Sequence, residues 1–327
     1  MMRAAISPGR AIAAYAAAGI LLWLFLRGSE THVLFEGLRS AGWRLLAIAV
    51  AIRLVSLIVS SLRWQVLLSP IQRVPFEDVA TTMMMGMAVA AVAPMQAAEV
   101  VRPYLLARRR GLDFTATLGT IIVEWVLDTL GTLVFFVPAL VVATTVSATT
   151  GRDALVISIA AIVLASALLA ALPRWVTRLA AWSSGAAAAA TGWRTRVAAQ
   201  CRHFCNGLGV VHRPPQLFES IAYTIVIAAL TAMSAWITLI AFGLPIPVSA
   251  GFLLLGLVMI GGMLPTPGAV GSFHAVCQLG LVTFFHTDRA QTILPVIALH
   301  AVLYLPGAAV GALCFIPRSA GSRARAF

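Results

Sequence analysis

Six long apolar segments constrain the fold of this chain more than any other feature of its sequence. They cover residues 11–26, 45–67, 115–142, 154–172, 220–242 and 291–316. Most of them reach the roughly 20 residues that a helix needs to cross a bilayer. The runs are continuous and lack the alternating pattern of a β-barrel strand, so they predict helices. We therefore predict an all-α integral membrane protein with about six transmembrane helices.

The composition agrees with a membrane location. The 327 residues are 61% hydrophobic and only 10% charged, which is more apolar surface than a soluble core could bury. The formal net charge of +12 comes from arginines beside the apolar runs. It indicates membrane topology and attraction to anionic lipid, and no nucleic-acid partner is expected. The four cysteines lack the spacing of a disulfide framework or a metal site, so we expect no metal and no cofactor.

Arginine clusters assign sides to the connecting loops, because cytoplasmic loops collect basic residues. The clusters are Arg3 with Arg10, Arg102 with residues 108–110, six arginines between 174 and 213, and Arg318, Arg323 and Arg325. They place both termini in the cytoplasm of a multi-pass protein of the bacterial inner membrane. Residues 173–216 mix arginine with tryptophan, and we predict that they lie on the cytoplasmic leaflet as an interfacial segment.

Two more apolar stretches, near 79–110 and 250–285, contain helix-breaking residues. A crossing at 79–101 would carry the arginines that follow it outside, so a re-entrant hairpin that turns at Pro94 fits the charge rule better. A second hairpin would turn at "PTPGAVG", residues 265–271, although an ordinary external loop between two complete helices would satisfy the charges as well. We predict a single polytopic domain, 1–327, with halves 1–150 and 154–327 in an inverted-repeat arrangement.

Glu124 and Asp128 are the candidate site residues inside a predicted span. They are four residues apart and therefore share one helix face. An intramembrane carboxylate faces a cavity or a cationic partner by default, so the two either line a functional site or form a structural ion pair. Arg53, in the 45–67 run, is the expected counter-charge, or it binds a lipid phosphate through its planar set of donors.

The predicted hairpins and the remaining spans supply further candidates. Glu99 and Arg102 lie one turn apart on the first hairpin, either in the site or as a simple interfacial pair. His274 either relays a proton or bonds to the backbone at a helix start, whereas His300 is expected to serve packing in the last span. Arg63 is interpreted as an anchor that extends to the cytoplasmic interface.

Two segments resemble those of one protein family. "APMQAAEVVRPYLLARRRGLDFTATLGTIIVEWVLD" begins at residue 93 and "LPTPGAVGSFHA" at residue 264. Both resemble the lysylphosphatidylglycerol synthase transmembrane family, whose members are described as flippase-like. The residues that match its motifs are Pro94, Glu99, Arg102, Glu124, Asp128, Pro265, Gly268 and Gly271. Ala98, Trp125 and His274 stand where the family has glycine, arginine and a carboxylate, which indicates a divergent member.

The resemblance implies a role in moving lipid between leaflets. We expect a translocase or transporter of an anionic or isoprenoid-linked lipid, without an aminoacyltransferase domain. Its substrate site would comprise Arg53, Glu99, Arg102, Glu124 and Asp128 together with Pro265, Gly268, Gly271 and His274 of the second hairpin. The expected partner is a lipid with an anionic headgroup.

Two other functions are compatible with the sequence. The first is a non-transporting membrane partner that presents lipid to a separate lipid- or envelope-modifying enzyme. The second, a membrane-embedded enzyme, would need a nucleophile or a metal motif that the sequence does not show, so we expect no enzyme and no catalytic residue. A homodimer, or a complex with a separate lipid-modifying enzyme, is the expected assembly.

Overall fold

The part of the chain that the computed structural model describes consists of helices joined by short irregular segments. This part comprises residues 16, 19–26, 31–144, 193–264 and 266–316, with scattered positions between 156 and 182. The helices are α1 (Thr31–Ser40), α2 (Trp43–Leu68), α3 (Phe76–Val92), α4 (Met95–Arg110), α5 (Phe114–Thr144), α6 (Trp193–Gly207), α7 (Pro214–Ile240), α8 (Ser249–Met263), α9 (Ser272–Phe285) and α10 (Arg289–Cys314). A short 3-10 helix, Gly209–His212, precedes α7. The prediction of an all-α protein is confirmed.

Within the described part of the chain, four helices are long and apolar enough to cross a membrane. They are α2, α5 from Phe114 to Ala143, α7 and α10. They coincide with four of the predicted runs, which confirms a multi-pass membrane protein. The other two runs, 11–26 and 154–172, lie largely outside the described residues, and the positions described within them are helical. The count of six spans, the two halves and the interfacial location of 173–216 stay predictions.

The two predicted hairpins correspond to two pairs of short helices. In the first pair, α3 stops because Ala93 is extended (φ −123°, ψ 169°) and precedes a proline. Pro94 then starts α4 without needing a backbone donor. In the second pair, α8 and α9 are separated by a longer irregular segment in which Gly268, Ala269 and Gly271 have positive φ angles of 61°, 56° and 86°. Glycine adopts such angles without a steric penalty.

The tip of the first helix pair (tip one, Ala93 and Pro94) meets the tip of the second (tip two, residues 266–271). Pro94 and Pro267 face each other in an isolated antiparallel bridge, and the N–H of Gly268 donates to the carbonyl of Ala93 at 3.1 Å. The side-chain amide of Gln96 donates to the carbonyls of Gly262 and Met263 at 3.2 and 3.3 Å. The polar groups of irregular backbone need hydrogen-bond partners, and here each tip supplies some of them to the other.

Small side chains let the long helices approach closely. The buried face of α7 carries Ser220, Thr224, Ala228 and Ala232 at intervals of four residues, and α7 packs against α2. Such small residues replace the hydrophobic driving force that helices in lipid lack. In the same way, Gly311 of α10 lies against the backbone of α3, where a side chain would collide with the Met84 carbonyl.

An ion-pair cluster joins α3 and α4 at the end opposite their tip. Asp78, in the first turn of α3, is buried and accepts ion pairs from Arg109, at 2.7 Å, and from Arg110. Both arginines lie in the last turn of α4 and are partly exposed. We refer to these three residues as the basal clasp, because they fix the first pair of helices at its base.

Candidate functional site

A cavity of about 340 Å³ lies among α2, α3, α4, α5, α7, α8 and α10. Its charged lining residues are Arg53, Arg63, Glu99, Arg102, Glu124 and Asp128. The formal charges of these three basic and three acidic groups sum to zero. Charged side chains between membrane-spanning helices are costly without partners, so the way these six pair determines what the cavity can bind.

Glu124 of α5 is the centre of the charged group. Its side chain is 3% exposed, and one oxygen lies 2.8 Å from Arg63 Nη2 while the other lies 2.8 Å from Arg102 Nη2. A single carboxylate therefore links α2 to α4. An ionised group this deep would cost several kcal/mol without such partners, about 3–5 kcal/mol for a broken buried pair.

Arg63 of α2 extends the ion pairs to α7. It holds Asp128 with both terminal nitrogens, one of them 3.0 Å from Oδ2, and its Nη1 donates to Thr224 Oγ1 at 2.9 Å. The residue is only 2% exposed. The interpretation of Arg63 as an interfacial anchor is therefore wrong, because all its terminal donors turn inward to groups on α5 and α7.

Arg102 of α4 completes the arrangement. Its Nη2 lies 2.5 Å from Glu99 Oε2, and its guanidinium carbon lies 5.2 Å from the centre of the Trp64 ring, a cation–π distance. Arg102 is 7% exposed, so Glu99 and Arg102 are not a simple interfacial pair. The charges thus alternate in sign along one row, Glu99–Arg102–Glu124–Arg63–Asp128, which we call the charged row.

The side chains of the charged row are buried in the middle of the row and partly exposed at its ends. The Asp128 side chain is 46% exposed and that of Glu99 is 27% exposed, against 3% for Glu124. Trp125, which also lines the cavity, is 47% exposed. Buried donors remain unused as well, since the Nε groups of Arg63 and Arg102 find no acceptor among the described residues. A polar ligand could therefore reach the row from its ends.

Arg53 lines the same cavity but does not neutralise the carboxylates. Its Nε donates to the carbonyl of Leu303 on α10 at 2.9 Å, and among the described residues it forms no ion pair. Arg53 and Arg63 are ten residues apart on α2, which is about 15 Å along the helix, so only one of them can reach the level of Glu124. The prediction that Arg53 is the counter-charge is wrong, and Arg63 has that role.

The candidate residues of the second pair lie at its tip and not in the cavity wall. Gly268 contacts tip one so closely that a Cβ there would lie 2.9 Å from the Ala91 carbonyl oxygen. The backbone N–H of Gly271 donates to His274 Nδ1 at 3.3 Å, which is the backbone-bonded alternative foreseen for this histidine. Pro265 lies outside the described residues.

His300 of α10 contacts both tip two and a residue of the cavity wall. Its Nε2 lies 2.8 Å from the Gly268 carbonyl oxygen, and its ring centre lies 4.8 Å from that of His274. On its other side the ring lies 4.8 Å from that of Tyr304, which lines the cavity. The expectation of a packing role alone is therefore wrong, because His300 links tip two to the cavity wall.

The cavity role of Arg63 was not predicted, although a pattern in the sequence indicates it. Ser56, Ser60 and Arg63 recur at intervals of four and three residues in a mostly apolar helix, which places them on one face. Such a polar stripe indicates the buried side of a membrane helix. No comparable pattern marks His300 or Tyr304.

Fold and site together define a multi-pass helical membrane protein with an ion-paired cavity between its spanning helices. The family model described as lysylphosphatidylglycerol synthase TM region matches residues 11–311, and the chain belongs to this family. The resemblance seen in the sequence is thereby confirmed, and membership implies a membrane function related to lipid. A search of curated proteins finds no match.

Proposed function

We propose that this protein moves an anionic or isoprenoid-linked lipid between the leaflets of the bacterial inner membrane, as a transporter and not as an enzyme. The charged row carries the proposal. Six charged side chains around one cavity are more than helix packing needs, and intramembrane charges of this kind mark substrate pathways. In this proposal the two helix pairs are re-entrant and enter from opposite faces, so that their tips meet near the midplane.

The cavity offers donors to a phosphate headgroup. Arg53 uses its Nε on Leu303 and presents the rest of its guanidinium to the cavity, where no carboxylate of the described residues pairs with it. Guanidinium groups hold phosphate oxygens with two parallel hydrogen bonds. Arg53 therefore binds the headgroup first in this proposal. The charged row then provides further donors, because a phosphate can exchange with Asp128 or Glu99 at its open ends.

Lipid movement in a purified system tests the proposal. The protein is reconstituted into vesicles of phosphatidylcholine and phosphatidylglycerol that carry fluorescent phosphatidylglycerol, and dithionite then bleaches the label in the outer leaflet. We expect wild type to expose inner-leaflet label to bleaching. A fluorescent polyprenyl phosphate in the same vesicles separates the two lipid classes.

A matched pair of variants assigns the activity to the cavity. Arg53→Leu should slow bleaching of inner-leaflet label roughly 10-fold or more, since a hydrogen bond to a charged group contributes about 1.5–3 kcal/mol. Arg44→Leu, an exposed arginine on the same helix, should leave the rate unchanged. Equal rates for wild type and protein-free vesicles, with lipid still co-purifying in detergent, would support the lipid-presenting partner instead.

A further inference from the structure

Two of the six histidines touch each other in an apolar enclosure. His274 and His300 are 4% exposed and half-buried respectively, and their ring centres are 4.8 Å apart. Phe25 and Phe273 pack against His274 at 5.1 and 5.7 Å, and Phe273 also packs against His300 at 5.1 Å. Two adjacent imidazoles cannot both be charged in such surroundings without a large cost.

Hydrogen bonds constrain the protonation of both rings, and the bond to His274 requires its neutral form. A carbonyl oxygen only accepts, so His300 must carry its proton on Nε2 in order to bond to Gly268. A backbone N–H only donates, so His274 Nδ1 must be unprotonated in order to accept from Gly271. The contacts that hold tip two therefore depend on the protonation state of this pair.

The ionisable groups around the pair are few. Cys277 lies one turn along α9, Tyr304 one turn along α10, and Arg53 of α2 approaches Tyr304 from the cavity. Arg289 is bonded to the carbonyl of Leu24, next to Phe25. Among the described residues, no carboxylate forms an ion pair with either histidine. Within the described part of the chain, no carboxylate would therefore neutralise an imidazolium while the tip stays in place.

We propose that His274 and His300 form a proton-binding site whose occupation releases tip two from tip one. A proton on His274 Nδ1 removes the acceptor for the Gly271 N–H and places a positive charge against His300 and two phenylalanine rings. The charge is relieved when tip two moves and the imidazolium reaches a more polar environment. The Gly268 contacts to Ala93 and His300 are lost in that movement.

This inference rests on the proposed function in one respect. His300 contacts Tyr304, which lines the cavity, so the state of the proton site is transmitted to the lipid pathway. If the tips must part for a lipid to pass, then each passage is accompanied by proton uptake and release at this pair. Lipid movement would be proton-coupled.

The distance between the tips tests the proton site without any lipid assay. Spin labels are attached to cysteines at Val92 and Leu264, which flank the two tips and are 66% and 49% exposed. Cys201 and Cys314 are replaced by alanine, while the buried Cys205 and Cys277 are retained. Between pH 8 and about pH 4, a range that extends well below the ordinary titration of imidazole near about 6.5 because burial disfavours the charged ring, we expect the main distance to lengthen by about 3 Å or more, the length of the hydrogen bonds that break.

Matched variants separate protonation from hydrogen bonding. His274→Asn keeps a side-chain acceptor for Gly271, and His300→Gln keeps a donor for Gly268, but neither new side chain titrates. The double variant should hold the short distance at both pH values. If it does not fold, His274→Asn alone should do the same, because His274 is the group that must stop accepting. His286→Asn, an exposed histidine in the left-handed conformation that asparagine tolerates, should behave as wild type.

The outcomes distinguish the two proposals. A pH-independent distance in wild type, or an unchanged shift in the double variant, overturns the proton site whatever the lipid assay shows. A pH-dependent distance without movement of fluorescent phosphatidylglycerol or polyprenyl phosphate upholds the proton site and overturns the transport function. If both proposals are correct, an imposed pH gradient should accelerate lipid movement by the wild-type protein. The double variant should lose this acceleration.

Discussion

Helices α3 and α4 carry seven charged residues between Phe76 and Arg110, whereas α8 and α9 carry none between Ser249 and Phe285. The first pair is positioned by ions, through the basal clasp at one end and the charged row in the middle. The second pair is positioned by backbone conformation and ring contacts. Because the tips meet, a helix pair that is held by ion pairs contacts a helix pair that is held by backbone conformation and by hydrogen bonds to histidine.

This difference indicates different roles for the two helix pairs. Ion pairs at membrane depth are strong but costly to rearrange, because each group must find a new partner. Neutral turns held by a few hydrogen bonds rearrange at much lower cost. We therefore expect the first pair to hold the substrate and to move only as a rigid unit, whereas the second pair rearranges its backbone. The variants below test that contrast, from the largest expected effect to the smallest.

Removing an arginine from the charged row should have the largest effect. Arg63→Met leaves three carboxylates to share Arg102, so the free energy of unfolding should fall by about 3–5 kcal/mol, the usual cost of breaking a buried pair. Unfolding of the purified protein in detergent measures the loss. Arg53→Met, on the same helix but without an ion-paired carboxylate, should cost clearly less. Equal losses would mean that the row does not position the first pair.

Removing the central carboxylate should cost less than removing an arginine. Glu124→Gln leaves two complete pairs, Arg102 with Glu99 and Arg63 with Asp128, so we expect a loss of about 2 kcal/mol from the missing charged hydrogen bonds. The same unfolding measurement applies. A loss as large as that of Arg63→Met would contradict the alternating arrangement of charges.

A small change at tip two tests its dependence on backbone conformation. Gly271→Ala places a Cβ at φ 86°, ψ −61°, which should lower the free energy of unfolding by about 1–2 kcal/mol, as positive φ angles do for residues other than glycine. Gly243→Ala is the control, because its φ is 74° and nothing lies within 4 Å of the added carbon. The free energy of unfolding should fall more for the change at the buried Gly271 than for the change at Gly243. The loss at Gly271 should not depend on salt concentration.

The basal clasp should give the smallest effect. Arg109 is half-exposed and Arg110 remains on Asp78, so Arg109→Gln should cost about 1 kcal/mol or less. The difference from wild type should shrink as salt is added, because partly exposed ion pairs are screened. Unfolding at low and high salt measures this. A salt-independent loss would mean that Arg109 acts through packing.

The positions of the helix breaks could be predicted from the sequence because they depend on local backbone chemistry. Pro94 cannot donate a hydrogen bond and restricts the residue before it, and the glycines of residues 265–271 permit positive φ angles. Long apolar runs likewise identify spans from length and hydropathy alone. Such features need no knowledge of which helices are neighbours.

The pairing inside the cavity could not be predicted in the same way. A helical period gives the face on which Arg63 lies, but not the depth or rotation of α2 relative to α5. The sequence therefore indicated Arg53 as the counter-charge, although Arg63 has that role. The contact between His274 and His300 joins residues 26 positions apart on separate helices, and no local pattern in the chain indicates it.

The basal clasp gives the first helix pair a pivot. α3 has 17 residues and is therefore about 25 Å long, so a rotation of about 10° at Asp78 would displace the far end by about 4 Å. That displacement exceeds the 3.1 Å that separates the Gly268 nitrogen from the Ala93 oxygen. A modest tilt at the base of the pair is thus amplified into complete separation at the other end. A mechanical load on Arg109 and Arg110, or a protein that binds them, would act on the tip contact through this lever.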